Sequence, residues 1–113
     1  MTFVADTVDG FIRAAVTPGI EGQTINLGTG ETYSVGHFAH RILGLMGVDK
    51  PIVHDATRDR PSKSEVFKLI SDNRKAAELM GWRPTTSVDD GLRAAIEFVS
   101  ANRGLYSPAV YTV

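Results

Sequence analysis

The charged side chains best suited to chemistry lie in one polar stretch, residues 58–65, ahead of an apolar-rich run. Pro61 fixes its own φ and disfavours a helical conformation for Arg60, so Arg60 is presented from a stiffened loop. A guanidinium held in this way is suited to forked contacts with phosphate or carboxylate oxygens. The carboxylate of Glu65 can accept hydrogen bonds from vicinal hydroxyl groups, such as those of a ribose. The alternative is a solvated loop in which Arg60 pairs with Asp59 or Glu65.

A glycine-containing turn, Gly28-Thr29-Gly30, follows a predicted strand and invites a dinucleotide-binding interpretation. The dinucleotide fingerprint requires a third glycine at position 33, where this sequence has Tyr33. We therefore interpret Gly28 and Gly30 as turn residues.

The remaining titratable residues do not indicate a metal site or a catalytic carboxylate pair. His37 and His40 are three residues apart on a predicted helix, and His54 lies on an extended segment. A metal ion would need three convergent ligands, and no carboxylate is obviously placed to join these histidines. Asp89 and Asp90 fall in the first turn of another predicted helix, where negative charge suits the helix dipole.

Length and composition indicate one soluble globular domain. The chain has 113 residues, with 12 Lys plus Arg against 13 Asp plus Glu, a net charge of −1. This balance argues against nucleic-acid binding, which requires a basic excess. The absence of cysteine excludes a disulfide scaffold and thiol chemistry. No apolar run approaches the roughly 20 residues of a membrane span, and no signal peptide is visible. We therefore expect a cytoplasmic protein that does not contact membranes.

Hydrophobic periodicity predicts about four helices and a few short strands. Helices are expected at residues 6–16, 34–46, 72–80 and 87–101, and strands at residues 1–4, 23–27 and 66–70. The expected N-caps are Asp6, Ser34, Asp72 and Ser87, and the expected C-terminal glycines are Gly47 and Gly81. The alternation of helices and strands predicts an α/β fold, or α+β on a strict count, with a small mixed sheet.

Four motifs, in order along the chain, resemble the NAD-dependent epimerase/dehydratases, which are extended short-chain dehydrogenase/reductases. The closest similarity is to the 4,6-dehydratases that act on nucleotide sugars, and it extends from Thr2 to about Phe98. The motifs are Thr2-Phe3-Val4-x-Asp6-x-Val8-Asp9-Gly10, Ile25-Asn26-Leu27-Gly28-Thr29-Gly30, Arg58-x-Arg60-Pro61-x-x-Ser64-Glu65-Val66 with Asp72-Asn73-x-Lys75-Ala76, and Leu79-x-Gly81-Trp82-x-Pro84.

The resemblance implies a partial Rossmann-type, C-terminal nucleotide-sugar-binding domain over residues 1–113, without the N-terminal dinucleotide-binding domain. It implies that Arg60 contacts the pyrophosphate of the nucleotide and Glu65 its ribose. Lys63 is a further candidate phosphate contact, with a flexible surface lysine as the alternative. The family binds NAD in its N-terminal part, so no cofactor is expected in this chain. The family's catalytic Tyr and Lys, four residues apart, are also missing, because Tyr33 is followed at that distance by His37.

Three hypotheses remain open. The chain is a nucleotide-sugar-binding module without chemistry, half an enzyme completed by a dinucleotide-binding subunit, or a self-associating remnant without a ligand. The resemblance places residues 6–16 and 23–27 against the missing domain. An apolar patch of Val8, Phe11, Ile12, Ile25 and Leu27 is therefore expected to be exposed, and we expect a homodimer formed through it.

Overall fold

The computed structural model describes residues 1–54 and 69–106, which form four α-helices and one short 3₁₀ turn. The helices are α1 (Val4–Val16), α2 (Val35–Met46), α3 (Arg74–Met80) and α4 (Val88–Ala101), and the 3₁₀ turn is Arg103–Leu105. Helix α1 packs against α3, and α2 packs against α4. None of the four helices is long and apolar enough to cross a bilayer.

The two ends of α2 confirm the expected capping residues. The hydroxyl of Ser34 accepts a hydrogen bond from the backbone N–H of His37 at 3.0 Å, which satisfies one donor of the first turn. At the other end, Gly47 adopts a left-handed conformation with a φ of 64°. The N–H groups of Gly47 and Val48 donate to the carbonyls of Gly44 and Leu43. These paired bonds are those of a Schellman ending.

The ends of α3 and α4 follow the sequence prediction with one correction. Gly81 ends α3 in the left-handed region, with a φ of 61°, and the Ser87 hydroxyl caps α4 by accepting from the N–H of Asp90 at 3.1 Å. Asp72 is not the N-cap of α3, because Asn73 occupies that position. The Asp72 carboxylate nevertheless accepts from the N–H of Arg74 at 3.0 Å. Asp72 therefore satisfies a backbone donor of the first turn, although it lies one residue before the N-cap.

The predicted α/β fold with a mixed sheet is wrong, because residues 1–54 and 69–106 contain no strand. Residues 23–27 have no regular secondary structure, and the expected edge strand at residues 1–4 is replaced by the start of α1 at Val4. Of the strand expected at 66–70, only residues 69 and 70 are described, and neither is in a strand. A strand requires a neighbouring strand for its backbone hydrogen bonds. The carbonyl of Thr24 accepts instead from the side chain of Lys75, with Nζ 3.0 Å away.

The small hydrophobic core lies between α1 and α3. Its buried apolar members are Ala76, Met80 and Trp82, which we call the Trp82 cluster. Ile20, Ile25 and Leu27 are half-buried and pack against this cluster. Ile25 and Leu27, two residues apart, thus both point inward. Residues 23–27 nevertheless form no strand.

Helices α2 and α4 contribute no fully buried residue. Among their apolar side chains, Val35 is 86% exposed on α2 and Val99 is 44% exposed on α4. The two helices are linked by Arg41, whose guanidinium makes a forked contact with the carboxylate of Asp89. The bonds from Arg41 lower the pKa of Asp89 below its ordinary value.

Candidate functional site

The three predicted substrate-binding residues, Arg60, Lys63 and Glu65, lie outside the described residues. The structure does describe the chain that follows them. Asn73 donates a side-chain hydrogen bond of 2.6 Å from Nδ2 to the carbonyl oxygen of Gly28. Ser71 lies so close to Gly28 that a Cβ atom on Gly28 would overlap the Ser71 side chain. Ser71 and Asn73, which follow the predicted binding segment in the chain, are therefore in contact with the Gly28 turn.

The close approach of Ser71 changes the interpretation of Gly28. Gly30 has a φ of 74° and serves the turn as predicted, whereas Gly28 does not have a positive φ. Gly28 is required because the Ser71 side chain occupies the space that a Cβ would fill. Sequence patterns do not distinguish these two uses of glycine, since the second depends on a residue 43 positions away.

The Gly28 turn does not fit the pyrophosphate of a dinucleotide cofactor. A cofactor cradle leaves the glycine open so that a phosphate can approach the backbone, and here Ser71 takes that space. The first turn of α2 is likewise capped by the protein's own Ser34 hydroxyl. No step of the chemistry is therefore assigned to NAD at this turn.

Asp6 is a buried carboxylate that is bonded to residues about 80 positions further along the chain. It was predicted as the N-cap of the first helix, but the N-cap is Phe3 and Asp6 lies inside α1. Its carboxylate is buried and accepts bonds from the N–H and hydroxyl of Thr85, at 3.1 and 3.0 Å, and from the N–H of Thr86 at 3.2 Å. Burial raises the pKa of Asp6, but the bonds from Thr85 and Thr86 outweigh this effect and the pKa ends below its ordinary value. Asp6 thus stays ionised while it fixes the turn before α4 to α1.

Further polar contacts join α1 to α3. The indole Nε1 of Trp82 donates to the backbone carbonyl of Asp6 at 2.9 Å. The Arg13 guanidinium donates to the carbonyls of Met80 and Gly81 at 3.4 and 3.3 Å, at the end of α3. Asp6, Gly10 and Arg13 are spaced at i, i+4 and i+7 and so share one helix face. This polar stripe was the sequence signal that helical periodicity could have revealed.

The opposite face of α1 is apolar and exposed. We call it the α1 apolar face; its residues are Val4, Val8, Phe11, Ile12 and Val16, which are 49–74% exposed. The expected exposure of Val8, Phe11 and Ile12 is confirmed. Ile25 and Leu27 were expected in the same patch, but they are half-buried against the Trp82 cluster.

The histidines of α2 lie on the surface. His37 stacks on Tyr33 with ring centroids 4.9 Å apart, and His40 bonds through Nδ1 to the carbonyl of Gly36. Residues 1–54 and 69–106 contain no group of three or more metal-ligating side chains. Neither histidine is placed for ligation by the described structure.

Comparison with known proteins identifies the relatives of this chain, although no protein-family model matches it. It is 34% identical over 97 residues to a UDP-glucose 4-epimerase of Mycolicibacterium smegmatis, covering 85% of this chain and 29% of that protein. It is 36% identical over 81 residues to a GDP-L-fucose synthase of Sinorhizobium fredii, covering 71% of this chain and 24% of that protein. It is 33% identical over 92 residues to GDP-mannose 3,5-epimerase 1 of Oryza sativa, covering 81% of this chain and 22% of that protein.

A solved structure supports the same relationship. An epimerase of Methanothermobacter thermautotrophicus matches 92% of this chain and 30% of its own, with a TM-score of 0.81 and 30% sequence identity. The chain thus spans less than a third of the length of these relatives. Their shared names and the similar structure place it, as a segment of that length, in the NAD-dependent epimerase/dehydratase family.

Proposed function

We propose that this chain supplies the nucleotide-sugar contacts of an NAD-dependent epimerase or dehydratase and carries out no chemistry alone. One observation carries the proposal: relatives 33–36% identical to the chain are named for UDP-glucose, GDP-mannose and GDP-L-fucose. These compounds share a nucleoside diphosphate joined to a sugar. A segment related to all three is suited to that common part of the ligand. Whether the parent reaction is a 4,6-dehydration, as the sequence suggested, or an epimerisation stays a prediction.

The proposed contacts come from residues 60–65. Arg60 would form forked, charge-assisted hydrogen bonds with the pyrophosphate, and Glu65 would accept bonds from the ribose hydroxyls. Lys63 would add a second cation near the phosphates.

The lack of independent chemistry follows from the residues that the reaction requires. Hydride transfer to NAD needs a bound cofactor and a group that moves a proton. The chain has no Tyr followed four residues later by Lys, and its Gly28 turn is filled by Ser71. A separate cofactor-binding subunit that completes the enzyme is the second candidate, because the α1 apolar face is exposed.

Calorimetric titration with UDP-glucose, GDP-mannose, UDP, GDP and NAD tests the binding proposal. We expect weak binding of the nucleotide sugars and nucleoside diphosphates, and none of NAD. One forked contact is worth about 1.5–3 kcal/mol, whereas micromolar affinity needs about 8 kcal/mol. Arg60→Ala should lose most of the signal, and Arg83→Ala, an exposed arginine outside the binding segment, should retain it. An undiminished signal in Arg60→Ala would place the site elsewhere, and no binding by the parent chain would reject the proposal.

Incubation with NAD and the same nucleotide sugars tests the lack of chemistry. We expect no change in nicotinamide absorbance and no epimer or keto-sugar product. Turnover by homogeneous protein would show that this chain contains catalytic groups that its sequence does not reveal.

A further inference from the structure

An apolar groove, which we call the Phe3 groove, opens between the start of the chain, the Gly28 turn and helices α2 and α4. It has a volume of about 280 Å³, and none of the side chains that line it is ionisable. A Cβ added to Gly91 would lie 3.2 Å from Phe3 Cδ2, so the Phe3 ring packs directly on α4. Phe38 of α2 and Leu92 of α4 also line the groove, and both are half-buried. The Phe3 groove therefore exposes apolar surface at the α2–α4 pair.

The size and chemistry of the Phe3 groove favour uncharged side chains as its occupant. Pockets for drug-sized ligands have volumes of about 300–1,000 Å³, and this groove is smaller. Its lining offers no cationic side chain to a phosphate. Three further grooves of the described chain contain charged side chains, among them Glu21, Arg41 and Lys75. An uncharged peptide segment therefore fits the Phe3 groove better than it fits those three.

One face of α4 connects the Phe3 groove to the end of the helix. Residues spaced at i, i+3, i+4 and i+7 share a helix face, and four such residues line the groove. We call them the α4 stripe: Val88, Gly91, Leu92 and Ala95. Val99 continues this face by one turn and is 44% exposed. Asn102 then ends α4, and its side-chain amide donates to the carbonyl of Phe98 at 2.8 Å. The α4 stripe thus leads from the groove to the point where the chain leaves the helix.

The residues that follow have a matching composition and sufficient reach. Residues 107–113, which lie outside the described residues, have the sequence Ser-Pro-Ala-Val-Tyr-Thr-Val and no charged side chain. Tyr106 before them is extended, with a φ of −118° and a ψ of 133°, and Pro108 disfavours a helical conformation for the residue that precedes it. Seven residues span about 23 Å when extended, whereas Ala95 lies about 9 Å back from the end of α4 at Ala101. The segment is therefore long enough to pass the 3₁₀ turn and return to the groove.

We infer that residues 107–113 dock in the Phe3 groove of the same chain. In an extended segment Ala109, Tyr111 and Val113 share one side, and this side faces the α4 stripe. Because the segment is tethered, it meets the groove at an effective concentration on the order of millimolar, so modest apolar contacts suffice. Docking covers apolar surface on the α2–α4 pair, whose helices bury no residue completely. The predicted nucleotide-sugar contacts take no part, so the inference is independent of ligand binding.

Paramagnetic relaxation measured by NMR on the full chain tests the inference. The sequence contains no cysteine, so Thr112→Cys accepts a single nitroxide label, on the side of the segment that faces away from the groove. We expect the oxidised label to reduce the amide signals of Phe3 and Leu92 by more than half relative to the reduced label. The amide signal of Gly19, beyond the opposite end of α1, should stay unchanged.

Substitutions on both sides of the contact make the test specific. Ala95→Glu places a charge in the Phe3 groove and should restore the amide signals of Phe3 and Leu92. Ala94→Glu is the matched control, because Ala94 is exposed on the same helix but does not line the groove, and it should leave the signal loss unchanged. Tyr111→Asp should restore the signals from the side of the segment, without any change in the groove. Far-UV circular dichroism checks that each variant retains its helices.

Three outcomes overturn the inference. The first is an unchanged Phe3 signal in the labelled parent chain. The second is a signal loss that persists in both Ala95→Glu and Tyr111→Asp. The third comes from a mixed sample, in which nitroxide-labelled chain without isotope is added to isotope-labelled chain without nitroxide. An equal loss at Phe3 in that sample would mean that the segment of a second copy occupies the groove, whereas full signals there support docking within one chain.

Discussion

The two helix pairs of this protein are held together by different means. Helices α1 and α3 enclose the Trp82 cluster and are joined by hydrogen bonds to Asp6 and from Arg13 and Trp82. Helices α2 and α4 bury no residue completely, and Arg41 of α2 forms an ion pair with Asp89 of α4 on the protein surface. Buried contacts stabilise a fold more than exposed ion pairs do.

This contrast indicates where the stability of the chain resides. The α1–α3 pair has little tolerance for changes in shape or charge, because Asp6 and Trp82 are buried with fixed partners. The α2–α4 pair should accept substitutions readily, because its side chains retain access to water. The following predictions test that difference, from the largest expected effect to the smallest.

Trp82→Ala should have the largest effect. Its indole is fully buried and donates to the Asp6 carbonyl, so truncation leaves a cavity and an unpaired acceptor. The expected loss in the free energy of unfolding is about 3–5 kcal/mol, measured by urea denaturation with far-UV circular dichroism. Phe98→Ala, on the exposed surface of α4, is the control and should change the midpoint little. Similar losses for both variants would remove the distinction between the two pairs.

Asp6→Ala should have an intermediate effect. The variant leaves the N–H groups of Thr85 and Thr86 without their acceptor, and the expected loss is about 1–3 kcal/mol. Asp49→Ala, an exposed aspartate after α2, is the control. An unchanged unfolding free energy in Asp6→Ala would show that the turn before α4 does not depend on α1.

The same residue predicts a dependence on pH. The folded pKa of Asp6 lies below its ordinary value of 3.8. A carboxylate of this kind contributes stability that is fully present above the unfolded pKa and is lost as the pH falls through the folded pKa. The advantage of the parent chain over Asp6→Asn should therefore be constant from pH 5 to 7 and narrow below about pH 4. An advantage that persists unchanged into stronger acid would mean that Asp6 does not titrate as described.

Two glycine substitutions should have effects of opposite sign on the free energy of unfolding. A Cβ on Gly10 of α1 would lie 2.5 Å from Leu27 Cδ1 and 3.1 Å from Trp82 Nε1, whereas Gly44 of α2 has no such neighbour within 4 Å. Gly10→Ala should destabilise by about 1–3 kcal/mol through overpacking. Gly44→Ala should stabilise by roughly 0.5–1 kcal/mol through its higher helix propensity. If denaturation showed that both variants change the free energy of unfolding in the same direction, the packing difference between the helix pairs would be contradicted.

The sequence by itself determined the features that depend on near neighbours. Ser34, Gly47, Gly81 and Ser87 mark helix ends because each cap is formed with residues three to five positions away. The family could also be predicted, because its motifs are short and ordered along the chain. The relatives confirm that assignment. The roles of Arg60, Lys63 and Glu65 remain predictions that the titration will test.

Only the tertiary structure decided the features that depend on distant residues. Residues 23–27 have the pattern of a strand, but their hydrogen bonds would need a neighbouring strand, which the described chain does not provide. Aspartate is a preferred residue type at an N-cap. Asp6 instead faces inward, because Thr85 and Thr86, about 80 positions away, supply its hydrogen-bond donors. The exposure of Val8, Phe11 and Ile12 was expected from the family resemblance, and the structure adds that Asp6 and Arg13, on the opposite face of α1, make the inward contacts. For residues 23–27 and for Asp6, local propensity was overruled by the partners that the fold brings, or fails to bring, to the same place.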